Sequence, residues 1–226
     1  MNKTNNQRDP LVPQVPAANP EDGLLPVSAL ATPLQVNIVV GQSIQPGDGL
    51  YLTLNVRKYG DTRTIKEGEN PGDIITMWLD EKLLLIEGSY ELGFTFVNAH
   101  NGVEEWSRTV TIVVDRTAPG ATLLAPAIFP YITFGDMLRG TVPGYAGMEP
   151  GDVLQTICNG VEGPALVISP DHLTKHPIRI TFERPFLDSL NSESVRVSYH
   201  VTDRAGNRSI DAQAVDLTYQ RSMPAN

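Results

Sequence analysis

An internal repeat constrains this chain more than any other feature of its sequence. The segment Ile44-Gln-Pro-Gly-Asp-Gly-Leu50 returns as Met148-Glu-Pro-Gly-Asp-Val-Leu154, a shift of 104 residues (148 − 44 = 104). Solenoid repeats are shorter, roughly 20 to 50 residues, and a chain of 226 residues has room for two copies of the longer unit. We therefore expect each copy to fold as a β-sandwich of about 100 residues around its own core.

The alignment also predicts which side chains face the core. Alternate residues of a strand point to opposite faces of a sheet, so apolar residues at every second position indicate the buried face. At the shift of 104, the aligned residues are Ile74, Thr76 and Trp78 with Ile178, Ile180 and Phe182, and, upstream, Leu24 and Leu30 with Ile128 and Phe134. This pattern predicts that Trp78 packs inside the first sandwich.

Later in the repeat the shift grows to 105 residues. The aligned residues are then Tyr90, Leu92, Phe94 and Phe96 with Val195, Val197, Tyr199 and Val201. Keeping the shift at 104 would place polar residues of the second copy on the apolar face, because a slip of one residue exchanges the two faces of a strand. Asp115-Arg-Thr-Ala-Pro119 aligns with Gln220-Arg-Ser-Met-Pro224 at 105 (220 − 115 = 105). The first segment leads into the second copy, so the second predicts a further copy in a longer protein.

Turn-forming residues separate the short apolar runs, and this favours an all-β fold. Pro46-Gly47-Asp48, Pro71-Gly72-Asp73 and Asn101-Gly102 are sequences typical of turns. No segment shows helical periodicity beyond two turns. The strands predicted for the first copy are Leu34–Val40, Leu50–Lys58, Ile74–Leu79, Lys82–Ile86, Tyr90–Asn98 and Arg108–Asp115.

The repeat divides the chain into three predicted segments. Residues 1–21 are rich in Pro, Asn and Gln, show no counterpart in the second copy and are predicted to form a flexible, disordered N-terminal arm. Residues 22–117 form the first sandwich module, and residues 118–226 form the second.

Charge and composition narrow the range of partners. The formal net charge of −9 repels nucleic acid and anionic lipid, so neither is an expected partner. The first ten residues lack the apolar stretch of a secretory signal, and no apolar run is long enough for membrane insertion. Cys158 is the single cysteine, so no internal disulfide forms, and its apolar surroundings predict a buried, inert thiol.

Two motifs resemble those of tandem bacterial immunoglobulin-like (Ig-like) domains of large surface adhesins. They are Asp115-Arg-Thr-Ala-Pro119 at the module boundary and Val201-Thr-Asp-Arg-Ala-Gly-Asn207 in the last hairpin. The resemblance covers residues 22 to 221 and implies two Ig-like modules in an extracellular segment that spaces or presents an adhesive tip. In some members of that group Ca²⁺ stiffens the junctions between modules. The first module has Asn98-Ala-His-Asn-Gly102 in place of the aspartate-rich turn, and Gln220 stands where Asp115 stands in the first junction, so a calcium scheme repeated in both modules is not expected.

Few residues stand out as candidate sites. Asp115, with Asp203 or Asp136, offers carboxylate oxygens of the kind that Ca²⁺ prefers, against the alternative that each simply caps a turn. Trp106, with Tyr59 nearby, is the candidate exposed aromatic cluster for a sugar or protein ligand, against the alternative that Trp106 covers the edge of the sandwich.

The sequence indicates no enzyme, because nucleophile elbows, zinc-protease helices and phosphate-binding loops are all missing from it. We expect a non-catalytic spacer or adhesion segment of a bacterial cell-surface or secreted protein, without a cofactor unless Ca²⁺ binds. The alternative is a carbohydrate- or protein-binding β-sandwich module. In either case we expect a monomer or part of a longer chain.

Overall fold

Short runs of alternating apolar residues form the strands in the computed structural model, which describes residues 12–174 and 177–220. The chain divides into two units, Met1–Arg116 (unit 1) and Thr117–Asn226 (unit 2). Each unit has its own hydrophobic core, and the buried residues of one core all belong to one unit. Within the described residues, the architecture is mostly β in both units.

In its described residues, 12–116, unit 1 contains seven strands and two short 3-10 helices, Val27–Ala31 and Glu81–Leu84. The strands are β1 (Leu34–Val39), β2 (Gly49–Leu54), β3 (Arg57–Thr64), β4 (Ile74–Leu79), β5 (Gly88–Val97), β6 (Glu104–Trp106) and β7 (Val110–Val114). β1 pairs with β4 in one sheet, whereas β3, β2 and β5 lie side by side in the other, with β6 and β7 both paired to β5. The core lies between the sheets, because inward residues of both contribute to it.

Unit 2 repeats this arrangement, and its described part (117–174 and 177–220) has seven strands and two short α-helices, α1 (Pro170–Thr174) and α2 (Arg184–Ser189). The strands are β8 (Thr133–Phe134), β9 (Met137–Val142), β10 (Val153–Cys158), β11 (Val161–Val167), β12 (Ile178–Glu183), β13 (Ser194–Thr202) and β14 (Val215–Tyr219). β9 pairs with β12, and the second sheet has the order β11-β10-β13-β14-β8. Both units are thus sandwiches of a small and a larger sheet.

The structure confirms the shifts of 104 and 105 for the larger sheets. Leu50, Leu52 and Leu54 of β2 are buried, and so are Leu154 and Cys158 at the matching positions of β10. The alternating residues predicted to face inward on β13 are all buried, as are Leu92, Phe94 and Phe96 on β5.

The prediction for Trp78 is wrong. β4 turns Ile75 and Leu79 inward, whereas Trp78 lies on the outer face with 62% of its surface exposed. β12 buries Ile178, Ile180 and Phe182, so the true shift here is 103 (178 − 75 = 103). The segment between β2 and β4 of unit 1 is therefore one residue longer than the equivalent segment of unit 2. A shift of one residue exchanges the two faces of a strand, which is why Trp78 faces outward.

The alignment of the two N-terminal segments is also wrong. Leu24 forms a parallel bridge with Val113, as Thr133 does with Thr218, so these segments differ by 109 residues (133 − 24 = 109) rather than 104. Gln14 forms an antiparallel bridge with Asn37, as Ile128 does with Thr141. Residues 12–21, predicted to belong to the flexible arm, therefore have a counterpart in unit 2, and Val15 joins the core. The rest of that predicted arm lies outside the described residues, as does the second junction motif after Gln220.

Two strand predictions in unit 1 need correction. The predicted strand Lys82–Ile86 is replaced by the 3-10 helix Glu81–Leu84, whose preceding residue Asp80 accepts a hydrogen bond from the Lys82 backbone N–H. The predicted strand Leu50–Lys58 is a hairpin, in which Asn55 and Val56 form a two-residue turn with positive φ of 48° and 60°. A β-branched residue rarely adopts this conformation, and so no residue of this segment marks the turn.

The repeated Pro-Gly-Asp sequence forms the same buried turn in both units. Asp48 accepts hydrogen bonds from the backbone N–H groups of Gln45 and Ala99, at 3.0 and 2.9 Å. Asp152 accepts from the Glu149 backbone N–H at 3.1 Å and from the Tyr145 hydroxyl at 2.8 Å. Both carboxylates are almost fully buried, which explains why this segment is the clearest match between the repeats.

Candidate functional site

The candidate aromatic Trp106 lies on the outer face of the larger sheet of unit 1. It pairs with Thr95 of β5, which pairs in turn with Tyr51 of β2, so the three residues form one row across the sheet. Trp106 is 46% exposed. The structure therefore brings Trp106 and Tyr51 to one accessible surface.

Tyr59, the predicted companion of Trp106, lies on the opposite face. It pairs with Leu52, an inward residue of β2, and packs against the core of unit 1. The hairpin at Asn55 and Val56 sets this orientation, because it decides which residues of β3 face outward. Tyr51, and not Tyr59, shares the outer face with Trp106. Predicting this from the sequence requires knowledge of the hairpin at Asn55 and Val56.

Lys58 covers the aromatic pair. Its ammonium group lies 4.9 Å from the centre of the Tyr51 ring and 5.8 Å from that of Trp106, and 2.5 Å from a carboxylate oxygen of Glu104. Both distances to the rings allow cation–π attraction. Part of the ring surface is thus in contact with a lysine of the same chain.

A second outer face of unit 1, formed by β1 and β4, presents Trp78. Trp78 lies opposite Gln35, and Thr76 lies opposite Asn37. The Asn37 side-chain oxygen accepts hydrogen bonds from the Gln35 amide and the Thr76 hydroxyl, both at 3.0 Å. This face therefore presents one aromatic side chain, Trp78, among neutral polar side chains.

The corresponding face of unit 2, formed by β9 and β12, carries the two arginines Arg139 and Arg179 and, at one end, Glu183. Arg139 lies opposite Thr181, and Thr141 lies opposite Arg179. All four point outward, because the alternate residues Leu138, Gly140, Val142, Ile178 and Ile180 are buried. A concavity of about 630 Å³ crosses these residues and reaches Ile128 and Pro130.

The candidate calcium ligands Asp203 and Asp136 of unit 2 each have a hydrogen-bond partner in the same unit. Both carboxylate oxygens of Asp203 accept hydrogen bonds from Asn207, from its backbone N–H at 2.8 Å and its side-chain amide at 2.9 Å. Asp136 receives a hydrogen bond from Arg184 at 2.9 Å, and Asp115, half-buried after β7, has a polar interaction of its own. In residues 12–174 and 177–220, no three His, Cys, Asp or Glu side chains are grouped to hold a metal ion.

Cys158 behaves as expected for an inert thiol. It is fully buried at the end of β10, and burial raises the pKa of its thiol from 9.0 to about 12. The thiolate, which is the reactive form, is therefore disfavoured near neutral pH.

None of the helices in the described parts of the chain is both long and apolar enough to cross a membrane.

Comparisons with known proteins extend the description of the fold. No protein-family model matches the chain, and no curated protein matches its sequence. Among solved structures, it is similar to a Ca²⁺-stabilised adhesin with which an Antarctic bacterium binds ice, at 17% identity and a TM-score of 0.51. That match covers 93% of this chain but 49% of the adhesin structure, so the chain spans about half its length.

A second similar structure contains fibronectin(III)-like modules of Clostridium thermocellum CbhA. Here the identity is 10% and the TM-score 0.50, over 92% of this chain and 94% of the other. Likeness at these identities is informative about the fold. Together with the sheets of each unit, it shows that the chain is a tandem of two β-sandwich units with an Ig-like fold.

Proposed function

We propose that this chain is a non-catalytic structural segment of a bacterial cell-surface or secreted protein, in which the two sandwiches space and hold an adhesive part under tension. The observation that carries the proposal is that, in each unit, a segment near the start of the unit pairs with its last strand. In unit 1, the Leu25 backbone N–H donates to Val113, and the Val113 N–H donates to Gly23, both at 2.9 Å. In unit 2, the N–H groups of Thr218 and Gln220 donate to Ile132 and Phe134, at 2.7 and 2.8 Å.

These pairs are parallel in both units. When a chain is pulled from its two ends, parallel terminal segments slide along each other in opposite directions. Their hydrogen bonds then carry the load together, whereas the bonds of an antiparallel hairpin pulled from its open end break one after another. Each unit is therefore built to resist force applied through its ends.

Single-molecule force spectroscopy tests this proposal. We expect two unfolding events, each lengthening the chain by about 35 nm, since an extended residue spans roughly 3.3–3.6 Å and each unit has about 100 residues. Val113→Pro and Thr218→Pro each remove one N–H of a parallel pair. Each variant should lower the unfolding force of one event, with the other unit as internal control. A single event, or forces unchanged by both substitutions, contradicts the proposal.

A second candidate function is ligand binding by unit 1, which the exposure of Trp78 and Trp106 favours. Aromatic rings stack on the faces of sugars, and amide or hydroxyl groups beside them bind sugar hydroxyls. Trp78 has Gln35 and Asn37 beside it, whereas Trp106 has Lys58 over its ring. A glycan array with wild type, Trp78→Ala and Trp106→Ala tests this function, and binding that survives both substitutions would exclude these surfaces.

The Ca²⁺ that stabilises the similar adhesin has no counterpart in this proposal. Asp203 is satisfied within its own turn, and the mechanical role that we propose depends on hydrogen bonds of the backbone alone.

A further inference from the structure

A cationic groove crosses the outer face of β9 and β12 in unit 2. Its floor carries the two cross-strand pairs Arg139–Thr181 and Thr141–Arg179. Along its side runs the segment that contains Ile128 and Pro130, which is tied to β9 by two backbone hydrogen bonds between Ile128 and Thr141. Gly140 allows this segment to approach closely, since a Cβ atom there would lie 2.5 Å from the Phe129 ring. The groove is thus shaped by regular structure.

An apolar concavity of about 370 Å³ adjoins the groove and shares Pro130 and Arg139 with it. Tyr131, Phe134 and Met137 supply most of its remaining lining. Tyr131 is 74% exposed, and Ile132 beside it is equally exposed. The two concavities form one surface, cationic at one end and apolar at the other.

The charge of this surface is opposite to that of the chain. The net charge is −9, yet no described carboxylate lines either concavity. Elsewhere in unit 2, Arg184, Arg196 and Arg208 lie within 4 Å of aspartate oxygens. In the described part of the chain, by contrast, neither Arg139 nor Arg179 forms an ion pair. The Arg139 Nε donates to the sulfur of Met137 at 3.0 Å. Glu183, exposed on the same outer face, lies opposite Met137 and not opposite either arginine.

We propose that this surface binds an acidic peptide segment that carries a large apolar side chain next to its carboxylates. The guanidinium groups of Arg139 and Arg179 pair with the carboxylates, a contact that arginine makes with two hydrogen bonds at once. The apolar side chain enters the concavity between Tyr131, Phe134 and Met137. An acidic glycan fits less well, because the apolar end offers few polar side chains to the hydroxyl groups of a sugar. This binding role goes beyond the mechanical function, which needs no ligand.

Unit 1 supplies matched substitutions for the test. Gln35 and Thr76 occupy in β1 and β4 the positions of Arg139 and Arg179 in β9 and β12. Arg139→Gln and Arg179→Thr therefore introduce residues that the same fold already accommodates. Arg196→Gln is the control, because Arg196 is an exposed arginine of unit 2 that lies outside the groove and faces Asp216 at 3.9 Å.

The probe is a fluorescent peptide set of about eight residues, long enough to run along a six-residue strand. Each peptide carries one Phe or Leu beside two Glu, and a matched set carries Lys in place of Glu. Fluorescence polarisation with the full chain should detect binding of the acidic set only. Arg139→Gln and Arg179→Thr should each weaken it by roughly tenfold, as expected for the loss of one charge-assisted contact. Arg196→Gln should leave it unchanged, and added salt should weaken it.

Three outcomes overturn the proposal. One is the absence of binding of every acidic peptide at about 1 mM, the weakest affinity that such contacts would give. Another is equal weakening by Arg196→Gln, which would indicate a general charge effect. The third is tighter binding of oligogalacturonate than of any peptide, which would identify the surface as a glycan site. The two events in force spectroscopy are independent of all three results, so failure here is distinguishable from failure of the mechanical role.

Discussion

Units 1 and 2 share a fold but present different chemistry on the equivalent outer face. On β1 and β4 of unit 1 the outward residues include Gln35, Asn37, Thr76 and Trp78. At the equivalent positions of unit 2 they are Arg139, Thr141, Arg179 and Thr181. The inward residues of the same strands remain apolar in both units, apart from Gly140.

This difference shows which positions the fold constrains. Alternate side chains that enter the core must fill a fixed space, because interiors are close-packed. Outward side chains on a small sheet meet solvent, and their chemistry is free to change. The duplicated sandwich therefore keeps its core while each copy carries a surface of its own.

The largest effect is expected from substitutions that truncate a large side chain in the core of one unit. Phe182→Ala in unit 2 is expected to lower the free energy of unfolding by about 3–5 kcal/mol, and Leu79→Ala, its equivalent in unit 1, by about 2–5 kcal/mol. Both side chains are almost completely buried, in separate cores. Because both tryptophans lie in unit 1, denaturant titration followed by tryptophan fluorescence should detect Leu79→Ala and not Phe182→Ala. Equal shifts from both variants would contradict separate cores.

The two units should respond oppositely to pH. In unit 1, hydrogen bonds from Arg63 and the Lys66 backbone lower the pKa of Glu69 from 4.5 to about 2. A carboxylate whose pKa is lowered by folding stabilises the fold above pH 4.5, and this contribution is lost as the pH falls towards 2. In unit 2, burial raises the pKa of Tyr199 from 10.0 to about 12 and that of Cys158 from 9.0 to about 12. That contribution is present below about pH 9 and is lost as the pH rises towards 12.

Unit 1 is therefore expected to lose stability first in acid and unit 2 first in alkali. For Tyr199 the effect is on the order of 3 kcal/mol, since its pKa rises from 10.0 to about 12 and one pKa unit corresponds to about 1.4 kcal/mol. Circular dichroism and tryptophan fluorescence, recorded in parallel melts across the pH range, separate the units. Glu69→Gln should remove part of the acid response, and Tyr199→Phe part of the alkaline one. The idea fails if the two units lose stability at the same end of the pH range.

We expect the buried Pro-Gly-Asp turns to contribute about equally to the free energy of unfolding of the two units. Asp48→Ala and Asp152→Ala each leave buried donors without an acceptor and are expected to cost about 2 kcal/mol. Asp73→Ala is the matched control, because Asp73 closes a third Pro-Gly-Asp turn but is exposed. Its loss should cost less than about 1 kcal/mol, since water can replace the carboxylate. Similar costs for all three, measured in urea, would show that burial of the turn is unimportant.

The smallest expected effect separates the two equivalent hairpins. Unit 2 has Asn159-Gly160 in its two-residue turn, the sequence that favours this geometry, whereas unit 1 has Asn55-Val56. Val56→Gly should stabilise unit 1 by about 1 kcal/mol, and Gly160→Val should destabilise unit 2 by a similar amount. A Cβ atom at Gly160 would meet nothing within 4 Å, so the backbone conformation alone decides the result. Thermal melting should show a higher melting temperature for unit 1 with Val56→Gly and a lower one for unit 2 with Gly160→Val.

Much of the fold was predictable because alternation encodes the buried face. The larger sheets followed from β5 and β13, where bulky apolar residues recur at every second position. The errors arose where a change in segment length had no marker in the sequence. Trp78 was misplaced by a single residue, and Tyr59 by a turn that lacks the usual glycine.

The candidate sites were harder to predict because they depend on pairing between strands. Arg139 and Arg179 are 40 residues apart (179 − 139 = 40), and they become neighbours through the register of β9 and β12. Trp106 was predicted to be exposed, and its exposure follows from its place at the sheet edge. Its place in one row with Tyr51 follows from two successive strand pairings that no local motif records.

The claim on which the account depends is that each half is a complete sandwich, and separate production of the halves tests it most directly. Fragments 1–116 and 117–226 would be melted alone and within the full chain, with tryptophan fluorescence for the first and reactivity of the single thiol of Cys158 for the second. We predict a cooperative transition for each fragment, at a midpoint close to that of the same half in the full chain. A fragment without a cooperative transition, or a thiol that reacts freely at low temperature, would contradict the account.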